Sequence, residues 1–269
     1  MDERVLDAQR WVNTTYSGVA GYERCPENGK TNWATMYSLT EGLQHELGIQ
    51  KLSHAFGPTT MSKVDARGGV GPGERNKNIV NIIKCAFYCK GYPGGNFDGI
   101  WNSSPPFGPK QDAVAGSLYT MTDNMGIGKQ ERLNAKLFKA LLTMDAYVLV
   151  AGGDPEVRKI QQWLNGRYWR RSFATLIPTE GHYSRDVQKL LMKALQSEFG
   201  IADASVNGNF GPATQRQLAA HSLKPGDSGV LVELLSAACV FNGAVPSGED
   251  MVHLSLIHIS EPTRLRRIS

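Results

Sequence analysis

Cysteine is scarce, with four in 269 residues, at Cys25, Cys85, Cys89 and Cys239. Their spacing gives no disulfide framework. Cys85 and Cys89 lie i, i+4 on one predicted helix, but structural zinc takes four ligands and no second pair accompanies them. All four read as small buried apolar residues. No apolar run is long enough to cross a bilayer. The opening "MDERVLDAQRW" carries charges of both signs where a secretory leader needs an apolar segment, so work outside a cell would require another route of release. Charge of one sign is also lacking: the net +4 is too small to imply a nucleic-acid partner. No His-Glu-x-x-His zinc motif and no Gly-x-Ser-x-Gly nucleophile elbow occurs. What remains, 41% hydrophobic and 20% charged, is ordinary globular material long enough for two ordinary domains or several small ones.

The tail stands apart from the rest. "LSLIHISEPTR", Leu254 to Arg264, resembles translated adapter sequence from library preparation, and such scars are kept out of fold reasoning. Without residues 254–269, three Arg and one Glu are lost and the net charge falls to +2. On that reading the natural chain continues past about residue 253.

Internal repetition organises the remainder. "VLDAQRWVNTTY" (Val5 to Tyr16) aligns with "VRKIQQWLNGRY" (Val157 to Tyr168), matching Val, Gln, Trp, Asn and Tyr at a constant offset of 152. At the same offset Pro26 meets Pro178, Gly29 meets Gly181, and "LQHELGI" meets "LQSEFGI". "FGPTT" then meets "FGPAT" at offset 154, and Cys85 meets Cys239. We read this as a duplicated block of about 150 residues.

Each block divides into helices by periodicity. Val5 to Tyr16 is one, "WATMYSLTEGLQHELGI" a second, and "FGPTTMSKV" launches a third, with Pro58 suited to the first helical position and a nearby hydroxyl available as a cap. "NIVNIIKCAFYCKGY", "QDAVAGSLYTMTDNMGI" and "NAKLFKALL" repeat the plan, residues 157–220 do so again, and "PGDSGVLVELLSAACVFNGA" opens a fourth set. The expected organisation is all-α, in small three-helix units over residues 1–69, 70–150 and 151–222, a truncated fourth over 223–253, and the adapter-like tail 254–269. The fourth unit's stripe, Val232, Leu235 and Cys239 with Leu231 and Ala238, would lack its covering helices, so it either docks on the third unit or exposes a patch that favours association. A chain cut after about residue 222 is therefore expected to be more soluble and no less stable.

A helix bearing Gln and Asn, a Asp/Asn-Gly-x-Phe-Gly-Pro-x-Thr loop, and a helix ending Gln-x-x-x-Gly-Ile resemble the peptidoglycan-binding-domain type 1 family. The likeness covers almost all of residues 5–250 and is closest in "DVQKLLMKALQSEFGI", "VNGNFGPAT" and "KPGDSGVLVELLSAA". The first and third units carry "ENGKTNW" and "TEGHYSR" in place of that loop, and the second inserts "WNSSPP" between Asp98-Gly99 and Phe107-Gly108. The tandem order is similar to the N-terminal part of bacterial and prophage proteins that end in a glycoside-hydrolase-like barrel.

The resemblance implies cell-wall targeting by noncovalent, multivalent binding to peptidoglycan, outside the cell or at the wall after release by a holin or another non-secretory route. It implies a monomer with no cofactor, no metal, no nucleic acid and no membrane insertion. Within the loop, Phe210, Phe56 and Phe107 read as plugs of the small cores, while Asn207, Asn209 and Thr214 would line a shallow groove. Trp33, Trp101 and Tyr183 sit in or beside loops where a ring can stack on sugar or peptide, and Asp98 belongs to the Asp-Gly turn. Trp11 and Trp163 read as core. Glu41, Glu46, Glu180 and Glu198 are the carboxylates available to a hydrolase, but Glu46 and Glu198 read as solvated and no cleft is evident to hold a pair. Two other readings stay open: a structural spacer without wall affinity, and a fragment with unrecognised hydrolase activity.

Overall fold

The computed structural model describes residues 1–101, 114–224 and 226–244. Phe107, the insertion beyond Trp101 and the adapter-like tail lie outside the described residues. Those described form ten α-helices, one 3-10 turn (Asp203–Ser205) and a single isolated β-bridge, Val70 to Leu133. The chain is all-α. It divides into two compact units: residues 1–150 with 178–180, and residues 151–177 with 181 onward.

The first unit holds α1 (Glu3–Tyr16), α2 (Trp33–Glu46), α3 (Pro58–Ala66), α4 (Lys77–Cys89), α5 (Val114–Asn124) and α6 (Ala135–Leu141). Helix α4 is its centre because it is apolar nearly all round: Ile79, Val80, Ile82, Ile83, Cys85, Ala86 and Phe87 are all buried. It packs on α1, α2, α5 and α6, while α3 packs on α6. Gly42 lets α2 close on α1, since a Cβ there would stand 2.7 Å from the Tyr16 ring. The second unit holds α7 (Pro155–Tyr168), α8 (Arg185–Glu198), α9 (Pro212–Ala220) and α10 (Val230–Phe241). Ile160, Leu164, Tyr168, Val187, Leu190 and Ala194 form its core together with Leu234 and Ala237 of α10.

Local chemistry sets the helix starts. Side chains of Asp2, Asn32, Asn76, Asn134, Asp154 and Ser184 accept backbone N–H bonds at their helix N-termini. Helices α3 and α9 begin with Pro58 and Pro212 in the first turn, as expected, but the hydroxyl cap is not used. Their caps are Gly57 and Gly211, and the hydroxyls of Thr60 and Thr214 turn inward to Gln44 and Gln196 instead.

The same buried staples occur in both units. Gln9 accepts from Gly29 N (2.8 Å) and donates to Lys30 O (3.0 Å); Gln161 accepts from Gly181 N (2.9 Å) and donates to His182 O (2.8 Å). Asn13 brackets both backbone groups of Cys25, and Asn165 those of Ile177. Glu46 and Glu198 are not solvated as expected. Each receives a tyrosine hydroxyl, from Tyr16 (3.0 Å) and Tyr168 (2.8 Å), and Glu46 also holds Asn76 and Asn78 across to α4. Burial, reinforced by the facing carboxylate, pushes both tyrosines well above their ordinary pKa.

Two sequence expectations about packing need correction. Phe56 is buried against Phe138 of α6 with ring centroids 6.1 Å apart, but Phe210 is 50% exposed and plugs nothing. Val206 fills the core beneath its loop instead. In α10 Leu234 and Ala237 enter the core, which the anticipated stripe did not include; of that stripe Val232 is buried, whereas Leu235 and Ala238 border an apolar groove and Cys239 is half-buried.

Candidate functional site

In the second unit the loop after α8 is hung from one side chain. Gln196, buried on α8, accepts from Asn207 N (3.1 Å) and Gly208 N (2.9 Å) and donates to Asn209 O (2.8 Å) and Thr214 Oγ1 (2.9 Å). A planar amide carries an acceptor oxygen and a two-donor NH₂ on one rigid group, so it can answer several N–H and C=O groups of a turn at once. Suspended this way, Asn207, Asn209 and Phe210 face solvent, while Thr214 is buried as a strut. Gly208 sits at φ +74°, and a Cβ there would meet the Lys189 stem at 2.9 Å and that of Lys193 at 3.1 Å. The turn therefore lies along α8, where Arg185, Lys189 and Lys193 recur every four residues. Burial, with the neighbouring Lys189 charge, lowers the Lys193 pKa, and its ammonium donates to Phe173 O at 2.7 Å. The outcome is an exposed amide-and-phenyl tip beside a cationic stripe. Tyr183 lies elsewhere in this unit, stacked on Phe241 (4.5 Å) at the edge of a groove of about 320 Å³ lined by Leu191, Leu195, Leu231 and Leu235.

The corresponding face in the first unit differs in chemistry. Trp33, Tyr37 and Glu41 recur every four residues along α2. Trp33 is 51% exposed and stacks on Tyr37 (5.7 Å), which lies nearly parallel to the His54 ring at 4.2 Å. His54 is delivered by the loop that Gln44 holds through Ser53 N (2.7 Å) and Ala55 O (2.9 Å). Its Nε2 stands 3.2 Å from Glu23 and 3.4 Å from Glu41. Glu41 is 2% exposed, and its second oxygen accepts from Glu23 N at 2.8 Å. Burial pushes the Glu41 carboxyl above its ordinary pKa; the Glu23 N–H and His54 oppose this, and the Glu23 charge adds to it. Sequence reasoning picked out Trp33 and Glu41 but not Tyr37, Glu23 or His54. The aromatic repeat on α2 was readable as a stripe; the arrival of His54 was not.

Asp98 and Trp101, on one loop of the first unit, serve the interior. Asp98 is the counter-ion of fully buried Lys84. Burial raises its pKa, but the Lys84 bond and Ile100 N–H outweigh that and hold the carboxyl below its ordinary value. Trp101 is 9% exposed, and its indole N–H has no partner among the described residues. Trp11 and Trp163 are half-buried, each edge-on to a tyrosine, Tyr16 and Tyr168.

A cavity of about 120 Å³ in the first unit is bordered by Lys90, Cys89, Tyr147 and Asp145. Lys90 donates to Asp145 O and lies 5.2 Å from the Tyr147 ring centre. Burial lowers its pKa to about 8, against the opposing pull of Asp145. A lysine depressed in the folded state opposes folding while the unfolded chain would be charged, and that penalty is relieved as the pH rises from about 8 towards 10.5. Relative to Lys90→Met, the wild type is expected to gain about 2 kcal/mol between pH 7 and 10. Urea titrations at both pH values measure this, and a difference independent of pH would refute it.

The described chain is thus a helical protein whose surface loops hang from buried amides. Residues 150–260 match the family model described as "FadG/YbfG, PGDB-like domain", that is, peptidoglycan-binding-like. The chain is similar to the uncharacterized protein FadG of Bacillus subtilis (strain 168), 44% identical over 246 residues, 90% of this chain and 41% of FadG. It is also similar to the uncharacterized protein YbfG of the same organism, 40% identical over 228 residues, 85% of this chain and 30% of YbfG. The chain therefore spans less than half the length of either relative. No solved structure matches it.

Proposed function

We propose that this chain is a noncovalent cell-wall-binding segment that contacts peptidoglycan through the Asn207–Phe210 tip and the Arg185–Lys189–Lys193 face. The carrying observation is that the peptidoglycan-binding-like match covers residues 150–260, which include this exposed, rigidly suspended loop. Amides suit N-acetyl and peptide groups, an exposed phenyl suits a sugar face, and lysines suit stem-peptide carboxylates. The aromatic face at Trp33 would be a second, differently specific contact. The matching staples at offset 152 support descent of the two faces from one duplicated unit, and two linked weak contacts raise retention by effective concentration. On this reading the protein works at or outside the wall as a monomer, without a cofactor, and targets a longer wall-active hydrolase. Among the described residues no helix is long and apolar enough to cross a membrane.

The full chain is expected to co-sediment with purified sacculi, to release no reducing ends from them, and to be partly eluted by salt that screens the lysines. Phe210→Ala and Lys189→Glu, both at exposed positions, should weaken retention about tenfold together without lowering the melting temperature. Full recovery of wild type in the supernatant at low salt would favour the spacer. Undiminished retention of the double variant would move the site away from this loop.

A further inference from the structure

We infer that Glu23, Glu41 and His54 form a divalent-cation site, best suited to Zn²⁺, on the first unit. Their ligand atoms lie within 4.8 Å of one another, with His54 Nε2 3.2 Å from Glu23 and 3.4 Å from Glu41. Ligands about 2.05 Å from a tetrahedral zinc are separated by about 3.3 Å, so these two edges already have the dimensions of a zinc shell. One imidazole and two carboxylates are a donor set that zinc accepts, and three protein ligands leave a fourth position for water.

The surroundings act as an outer shell that holds the ligands. Glu23 N–H bonds the second Glu41 oxygen, Ser38 Oγ donates to Glu23 O at 2.6 Å, and Tyr37 fixes the His54 ring plane by stacking at 4.2 Å. A cation would also resolve the electrostatics of the floor: Glu41 is almost fully buried, and its exposed neighbours offer it one imidazole and another carboxylate. Exposure of Glu23 and His54 leaves an entry path. The site does not depend on wall binding. On α8 the place of Glu41 is taken by Lys193, so the second unit has no counterpart at that position.

Zinc titration of the full chain, freed of metal with EDTA, is expected to show one ion bound per chain. It should raise the melting temperature by about 5 °C at a hundredfold excess over Kd. Cobalt should give visible bands of four-coordinate N/O ligation without thiolate charge transfer, which separates this site from Cys89 and Cys239. His54→Ala, a change at a half-exposed side chain, should lower affinity by at least about tenfold in protein shown to be folded by its circular dichroism. Glu41→Gln should fold and fail to bind. Absence of stoichiometric binding by wild type, thiolate bands with cobalt, or undiminished binding by a folded His54→Ala protein would each overturn the assignment.

Discussion

A chain ended after residue 222 is expected to melt at least 10 °C below one that keeps α10. The reason is the position of Leu234 and Ala237, 2% and 0% exposed, inside the core made by α7 and α8. Removing α10 uncovers Ile160, Leu164, Leu190 and Ala194 together, as well as withdrawing its own apolar surface. At roughly 2–3 kcal/mol for one large buried aliphatic side chain, the loss of Leu234 with Val232 and Ala237 amounts to about 5 kcal/mol, a large part of a domain's stability. This reverses the expectation from sequence that a chain cut after about residue 222 is more soluble and no less stable. Calorimetry should show the transition of the second unit lowered or absent while that of the first is retained. Light scattering should show more association in the shorter chain, through the exposed core face. Equal melting temperatures for the two chains would show that α10 contributes nothing to this core.

The second large effect is expected from Gln196→Leu, with Gln44→Leu as its counterpart. Leucine nearly matches glutamine in volume, so the change strips hydrogen bonds without opening a large cavity. In the second unit it orphans Asn207 N and Gly208 N, leaves Thr214 Oγ1 without its donor, and removes one donor from Asn209 O, which keeps Gly211 N–H at 2.9 Å. Each buried orphan costs about 1–3 kcal/mol. The turn is partly exposed and water can answer some of these groups, so a net loss of about 3–4 kcal/mol is expected. Wall retention should fall as well, since the tip would lose its support. Gln196→Glu keeps an acceptor for the two N–H groups but loses both donations, so it should fall between Leu and wild type. Denaturant titration of the three proteins tests the order; a Gln196→Leu variant within 0.5 kcal/mol of wild type would show that the amide is not the support (a difference of the size expected for an inert surface change).

The recurrence of Gln9, Asn13 and Tyr16 at Gln161, Asn165 and Tyr168 was plain in the sequence, but not what these residues do. Gln9 and Asn13 share the helical face that buries Val5 and Val12, and polar residues on an apolar face must find partners inside. That signal was available. It marks a staple, although it does not say which backbone groups are held. Glu46 and Glu198 were misread for a related reason: they lie on partly exposed helix ends, and groups arriving from other helices, Tyr16 and Tyr168 with Asn76 and Asn78 at Glu46, make them acceptors.

By itself the sequence determined the helices, the proline start of α3, and the all-α class. These depend on residues within a turn or two of one another, where periodicity and capping chemistry act. Only the tertiary structure decided that Phe56 is covered while Phe210 is exposed, because Phe138 arrives from a helix about 80 residues away. It alone decided which face of α10 is buried, since a helix apolar on several sides carries no local mark of its neighbour. The meeting of Glu23, Glu41 and His54 is of the same kind. Three residues with no motif spacing converge because Gln44 suspends one loop and Glu41 ties down the other, and long-range bonds of that sort leave no period in the sequence to read.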